Sequence, residues 1–299
     1  MRFARLGPIG REIPVVVEDD RVLDLSSVTS DIDGPFLAGD GIRRARAAVA
    51  SGSLPVVVDA SARRVGAPVA RPSAVYCIGM NYAAHAAESG SAPPEHMVMF
   101  MKAPNSIAGP DDDIQIPPGS TKTDWEVEVA LVIGRRAHRL ARREDAAAHI
   151  AGFAVANDVS ERDWQMALSG GQWSKGKSAP GFLPLGPWLV TPDEVDASDV
   201  RLRSWVNGAP RQDSRTADLV FPIEHIVWEL SRYLTLEPGD VVLTGTPEGV
   251  ALSGRFPYLA PGDVVELEVE GLGRQHQRYV AAREQDWTGA PEPGRISRS

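Results

Sequence analysis

From Ala74 onward the chain repeats one pattern: a short apolar run, then a Gly- or Pro-marked break. The runs are Val75–Ile78, Val98–Met101, Val127–Ile133, Gly152–Val155, Trp188–Val190, Leu202–Val206, Val241–Thr244 and Val264–Val269. Runs this short between turn formers predict strands. Helical patterns in this part are few, Arg142–Ile150 and Ile223–Leu234, the latter ending before Pro238. The first part of the chain predicts strands at Met1–Leu6, Ile13–Val17 and Arg21–Leu25, with turns at Gly7–Gly10 and Asp19–Asp20. A helix at Gly41–Ala50 and a strand at Leu54–Val58 follow, and the Pro-containing stretch Ala67–Pro72 marks a boundary. The fold class expected is α+β, mostly β. It divides into a small N-terminal α+β domain (1–71), a β-rich sandwich or barrel-like roll (72–283) and a Pro/Gly/Ser-rich flexible tail (284–299). There is no βαβ alternation and no internal repeat. GTPEG at 245–249 lacks the GK[ST] ending of a phosphate loop.

Composition narrows the function classes. With 299 residues and 43% hydrophobic content the chain can bury a core, and disorder is excluded. The net charge of −9 argues against a nucleic-acid or anionic-membrane partner. No apolar run is long enough to span a bilayer, and the first residues lack the pattern of a signal peptide. A single cysteine, Cys77, cannot form an internal disulfide, which fits a cytoplasmic location. It lies in an apolar run with no evident base beside it, and no GxSxG occurs, so no nucleophile signature is present. One imbalance stands out. Of 31 basic residues only Lys102, Lys122, Lys175 and Lys177 are lysines. Codon bias is the plain reading of the ratio, yet a compact ammonium does what a guanidinium cannot, which directs attention to residues 102–177.

That region holds the candidate chemistry. In Asp124-Trp125-Glu126-Val127-Glu128-Val129, a strand places Asp124, Glu126 and Glu128 on one face, with alternate residues ~6.6–6.8 Å apart. They either converge on a cation or form the solvated face of a half-buried strand. Asp158 ends the apolar run Gly152–Ala156 and is either a third carboxylate or a turn or helix cap before Ser160–Met166. Three carboxylates without nearby His or Cys would suit a hard ion, Mg²⁺ or else Mn²⁺ or Ca²⁺, and the histidine spacing argues against zinc. In Gly79–Glu88, His85 and Glu88 stand i,i+3 and face the same side of a helical turn. The pair either activates a water or is a surface ion pair. The following Ser89–Pro94 could make that turn a lid. Lys175 and Lys177 either hold a substrate oxygen or form a basic turn. Thr246 and the N–H groups around Gly245 either bind an anionic oxygen or simply turn the chain.

Taken in order, DWEVEVALVIG, GFAVANDVSERDWQ, KGKS, PLGPWLVT and GDVVLTGTPEGV resemble the fumarylacetoacetate hydrolase family from about Arg71 to Ala282. The resemblance implies a mixed β-sandwich roll, a small N-terminal domain and a homodimer. It implies a Mg²⁺ or Mn²⁺ bound by Glu126, Glu128 and Asp158, and His85 with Glu88 as the water-activating pair on a lid. Lys177, Arg162 and Gln165 become pocket residues and Thr246, with Gly245, an anchor for the substrate carboxylate. Asn81 and Tyr82, in the same motif as His85, count as substrate-binding. Two departures are visible: Ala179-Pro180-Gly181-Phe182 follows KGKS where Phe and Asp are usual, and Glu248 replaces a small residue.

The implied reaction is hydrolysis of a carbon–carbon bond in a ketonic substrate. A 2,4-diketo acid would be split by His85-activated water into pyruvate and a carboxylic acid, with Lys177 stabilising the developing charge. Within the family, SGGQWSKGKS and YLAPGDVVELEVEGLG are most similar to the branch handling 2,4-diketo-3-deoxy sugar acids, and also to oxaloacetate tautomerases. A tautomerase, isomerase or decarboxylase on the same metal site is the alternative, and an inactive ligand-binding homologue a third reading. The fold does not choose between them.

Overall fold

The computed structural model describes residues 1–19, 21–88, 90 and 92–282. The expected tail at 284–299, together with Asp20, Ser89 and Ser91, lies outside them. The chain is α+β and mostly β, built on two large sheets. The larger runs in the order Arg21–Asp24, Ile13–Glu18, Arg2–Leu6, Leu189–Val190, Ile150–Asn157, Val127–Ile133, Val241–Leu243, Val75–Gly79, Val98–Lys102. Its neighbours are antiparallel except for Val241–Leu243 beside Val75–Gly79. The second sheet runs Ala209–Arg215, Arg201–Val206, Val264–Val269, Gly273–Ala281, Ile114–Ile116. Each has two free ends, so neither closes into a barrel.

Alternation explains how the sheets stack. In Val127–Ile133 the odd positions Val127, Val129, Leu131 and Ile133 enter a core shared with Leu202, Val265 and Leu267 of the second sheet. The even positions Ala130 and Val132 enter a second core on the opposite face, with Cys77, Leu243 and Phe3. Every residue of this strand is therefore buried, and a strand covered on both faces can accept charged groups only if they are paired. The helix Ile223–Tyr233 packs Ile226, Val227 and Leu230 into the first core.

Several elements differ from expectation. Leu54–Val58 is not a strand. Pro55 interrupts it, only Val56 makes an isolated bridge to Leu23, and Val56 and Val58 are exposed. Arg143–His149 is a 3₁₀ stretch rather than an α-helix, and Ile150 already opens the next strand. The strands not expected include Ala209–Arg215, Ile114–Ile116 and Gly273–Ala281. In the last of these, the inward positions include Gln275 and Gln277, both fully buried and hydrogen-bonded, so polar residues stand where apolar ones would have signalled a strand. Among the described residues no helix is long and apolar enough to cross a membrane.

Candidate active site

Glu126 and Glu128 project from the same face as Ala130, at the start of the central strand. Asp158 follows directly on the partner strand, where its N–H donates to Glu126 O at 3.0 Å. One oxygen from each of Glu126, Glu128 and Asp158 lies within 4.8 Å of the others. The three side chains belong to residues only 4%, 2% and 0% exposed, which overturns the solvated-face reading. The cap reading of Asp158 also falls, because the helix Arg162–Gln165 is capped by Glu161, whose carboxylate accepts from Trp164 N at 2.6 Å.

Three buried cations meet this cluster. Lys177 Nζ donates to Glu126 Oε2 at 2.6 Å and to Asp158 Oδ2 at 2.7 Å. Lys102 Nζ donates to Asp158 Oδ1 at 2.5 Å and to the Val159 carbonyl at 3.1 Å. The Arg162 guanidinium reaches Glu126 Oε1 at 2.7 Å and Asp124 Oδ2 at 2.7 Å, and donates to Gln165 Oε1 at 2.8 Å. Asp124 is closed off by the N–H groups of Trp125, Ala251 and Leu252, so it holds Arg162 instead of joining the triad. Gly176 permits this arrangement. A Cβ there would lie 2.4 Å from Gln165 N, so only glycine lets the Ser174–Lys177 turn press against the Arg162–Gln165 helix and bring Lys177 inward.

The electrostatics are uneven. Burial would raise Glu126, but Lys177 and Arg162 outweigh it and hold the carboxyl at about 2. Glu128 has no ion-pair partner among the described residues. Its Oε2 accepts only the Gly245 N–H, at 2.7 Å, and burial together with repulsion from Asp158 and Glu126 drives it well above the usual carboxylate range. Four buried carboxylates thus face three buried cations, and the deficit falls on Glu128. An all-oxygen donor set short of one positive charge fits a hard divalent ion.

The helix Ala83–Glu88 sets His85 Nδ1 3.8 Å from Glu88 Oε2. Glu88 accepts from Gly249 N at 3.0 Å and pairs with Arg255 at 3.2 Å. Although burial favours its neutral form, His85 and the Gly249 N–H keep the Glu88 carboxyl below its ordinary value. The remaining expected residues divide. Thr246 Oγ1 donates to Val127 O at 2.9 Å and accepts from Gln212 Nε2 at 2.8 Å. The Gly245 N–H is spent on Glu128. Asn81 clamps the backbone, donating to Thr244 O at 2.7 Å and accepting from Phe221 N at 2.7 Å. Tyr82 is 1% exposed, and neither it nor Asn81 lines the site cavity.

That cavity holds about 430 Å³, and His85, Glu126, Glu128, Asp158, Arg162, Gln165, Lys177 and Thr246 all line it. Lys175 points away, exposed and bonded to Leu168 O. Ala179–Phe182 does not line the cavity, and Phe182 is core. Glu248 is half-buried outside it. Lys102 and Asp124 are the site residues that sequence reasoning did not assign. The scarcity of lysine pointed at Lys102, and strand alternation put Asp124 beside Glu126.

A family model described as fumarylacetoacetate (FAA) hydrolase C-terminal matches residues 74–280. The chain is 45% identical over 290 residues to a Burkholderia multivorans protein provisionally named a hydrolase, covering 95% of this chain and 100% of that one. Among solved structures it is similar to 5-carboxymethyl-2-hydroxymuconate delta-isomerase from Mycobacterium smegmatis (37% identity, TM-score 0.75, 95% and 100% covered). It is also similar to maleylpyruvate hydrolase from Sphingobium sp. SYK-6, solved with manganese(II) and pyruvate (27% identity, TM-score 0.78, 95% and 100% covered).

Proposed function

The chain belongs to the fumarylacetoacetate hydrolase family, and from that premise we propose that it hydrolyses a carbon–carbon bond of a short 2,4-diketo acid, yielding pyruvate and a carboxylic acid. The observation that carries the reading is the buried Glu126–Glu128–Asp158 triad opening into the same cavity as His85. Mg²⁺ or Mn²⁺ held by these three carboxylates would supply Lewis-acid polarisation of a 2-oxo acid.

The chain's own residues do the rest. With Nδ1 facing Glu88, His85 uses Nε2 to take a proton from water. The water oxygen bonds to the C4 carbonyl carbon. The C3–C4 bond breaks, its electron pair stays on C3 as the enolate of pyruvate, and the proton held on His85 returns to C3. Lys177 and Arg162 line the path of this charge, fixed by the carboxylates they bond, and offset it without reorganising. The proposal extends to a homodimer in the cytoplasm, on the family's habit and the lone buried Cys77.

The test is pyruvate release from acylpyruvates and diketo sugar acids in the presence of Mg²⁺ or Mn²⁺. Metal-dependent cleavage supports the reading. Absence of cleavage on all of them sinks it, and enol–keto conversion of oxaloacetate without cleavage establishes the tautomerase instead.

A further inference from the structure

We infer that the substrate carries one carboxylate, at the 2-oxo end, and that its far end is an uncharged apolar acyl group. This rests on the hydrolase reading above and narrows it. Besides the polar groups of the site, the cavity is lined by Met80, Val98, Phe100, Met166, Trp173 and Leu252. Trp173 is locked in place. Its ring centroid lies 5.5 Å from that of Phe100, and it packs so closely on Gly79 that a Cβ there would sit 2.5 Å from the ring. Phe100 and Trp173 therefore form a fixed aromatic patch in the cavity lining.

The two permanent cations are already paired. Among the described residues the basic side chains lining the cavity are His85, Arg162 and Lys177. Arg162 and Lys177 each bond two carboxylates of the protein at 2.6–2.9 Å. A second substrate carboxylate would enter beside three protein carboxylates and have to share Lys177 and Arg162 with them, with no cation free to pair with it fully, which disfavours burying its charge. A polyhydroxylated tail fares little better. The Thr246 hydroxyl donates to Val127 O and accepts from Gln212, and Gln165 offers only its amide N–H groups because its Oε1 is taken by Arg162. Sugar hydroxyls would trade water for methionine, leucine and indole. An alkyl or aryl tail loses no hydrogen bond there, and each methylene it buries is worth about fourfold in kcat/KM until the cavity is full.

The test compares Mn²⁺-loaded protein on three diketo acids of matched length, ending in an alkyl group, a carboxylate or a hydroxylated chain. The alkyl acid is expected to exceed the others in kcat/KM by about tenfold or more. Equal or better turnover of the dicarboxylate or the hydroxylated acid overturns the inference and leaves the hydrolase reading standing. Calorimetric titration with 2-oxohexanoate and 2-oxoadipate separates the two failures, because it needs no turnover. If nothing is cleaved yet 2-oxohexanoate binds at least tenfold tighter, the apolar tail stands and the hydrolase reading falls. If 2-oxoadipate binds as tightly, the inference fails. Met166→Lys places a cation at the cavity's half-exposed rim and is expected to shift the ratio toward the dicarboxylate by about tenfold; an unchanged ratio would refute this placement of the tail.

Discussion

Two lysines define the site at the residue scale, and their environments predict different failures. Lys177 bridges Glu126 and Asp158 with a compact ammonium, at a position where a Phe100 ring centroid also stands 5.1 Å away. A guanidinium is longer and planar and cannot take that place. Lys177→Arg is expected to lower kcat by about a hundredfold, whereas Lys175→Arg, whose parent side chain is exposed, should stay within about twofold. Equal steady-state activity of both variants would return the lysine pattern to codon bias. Lys102 is a matter of stability. Burial pushes its ammonium below the ordinary value while Asp158 pulls it up, and removing it takes from a fully buried carboxylate one of its two cations. Lys102→Met should lose about 3 kcal/mol of folding stability by denaturant titration. Lys177 was legible because it sits in a recognisable run of residues. Lysine scarcity pointed at Lys102 but gave it no role, because its partner lies 56 residues away and MKAPNS carries no periodic signal.

Glu88 and Arg255 set the behaviour of one element, the short helix Ala83–Glu88. A helix of this length has little stability of its own, so its position depends on what its last residue touches. Glu88 is tied to the body by the Gly249 N–H and by Arg255, which stacks on Phe256 with its guanidinium 5.5 Å from the ring centroid. Arg255→Gln should lower kcat about threefold by loosening the helix, while Glu88→Gln, which also deprives His85 of its carboxylate, should lower it about a hundredfold. Single-turnover kinetics would check both, and identical losses would mean that the carboxylate matters only as a latch. The His85–Glu88 spacing was visible in the sequence, but its latch, 161 and 167 residues away, was not. The same limit governed the strands. Those with apolar alternation were legible, whereas Gly273–Ala281 was hidden by buried glutamines whose partners come from other elements.

Across the whole molecule, the division at residue 71 acquires a physical test. Arg2–Leu6 pairs with Leu189–Val190, extending the sheet that carries the carboxylates, and Phe3, Val16 and Leu23 share a core with Val75, Ala130 and Val132. Ion pairs cross the same boundary: the Met1 ammonium reaches Glu194 at 3.1 Å, Arg46 reaches Asp193 at 2.7 Å and Arg64 reaches Asp112 at 2.5 Å. No local pattern announces contacts between segments nearly two hundred residues apart, so a sequence can mark the boundary at Ala67–Pro72 without revealing how much is shared across it. Segments that share a sheet and a core lose their stabilisation together. Calorimetry of the full chain is therefore expected to give one unfolding transition, and the proposed Mg²⁺ or Mn²⁺ would raise its temperature, because an ion held by the triad would bind only the folded chain. A chain of residues 72–299 would expose the apolar face under Ala130 and Val132 and is expected to aggregate or bind the metal at least tenfold more weakly. Two resolved transitions, only the second moved by metal, would instead make residues 1–71 an independent unit and confine the machinery to the body.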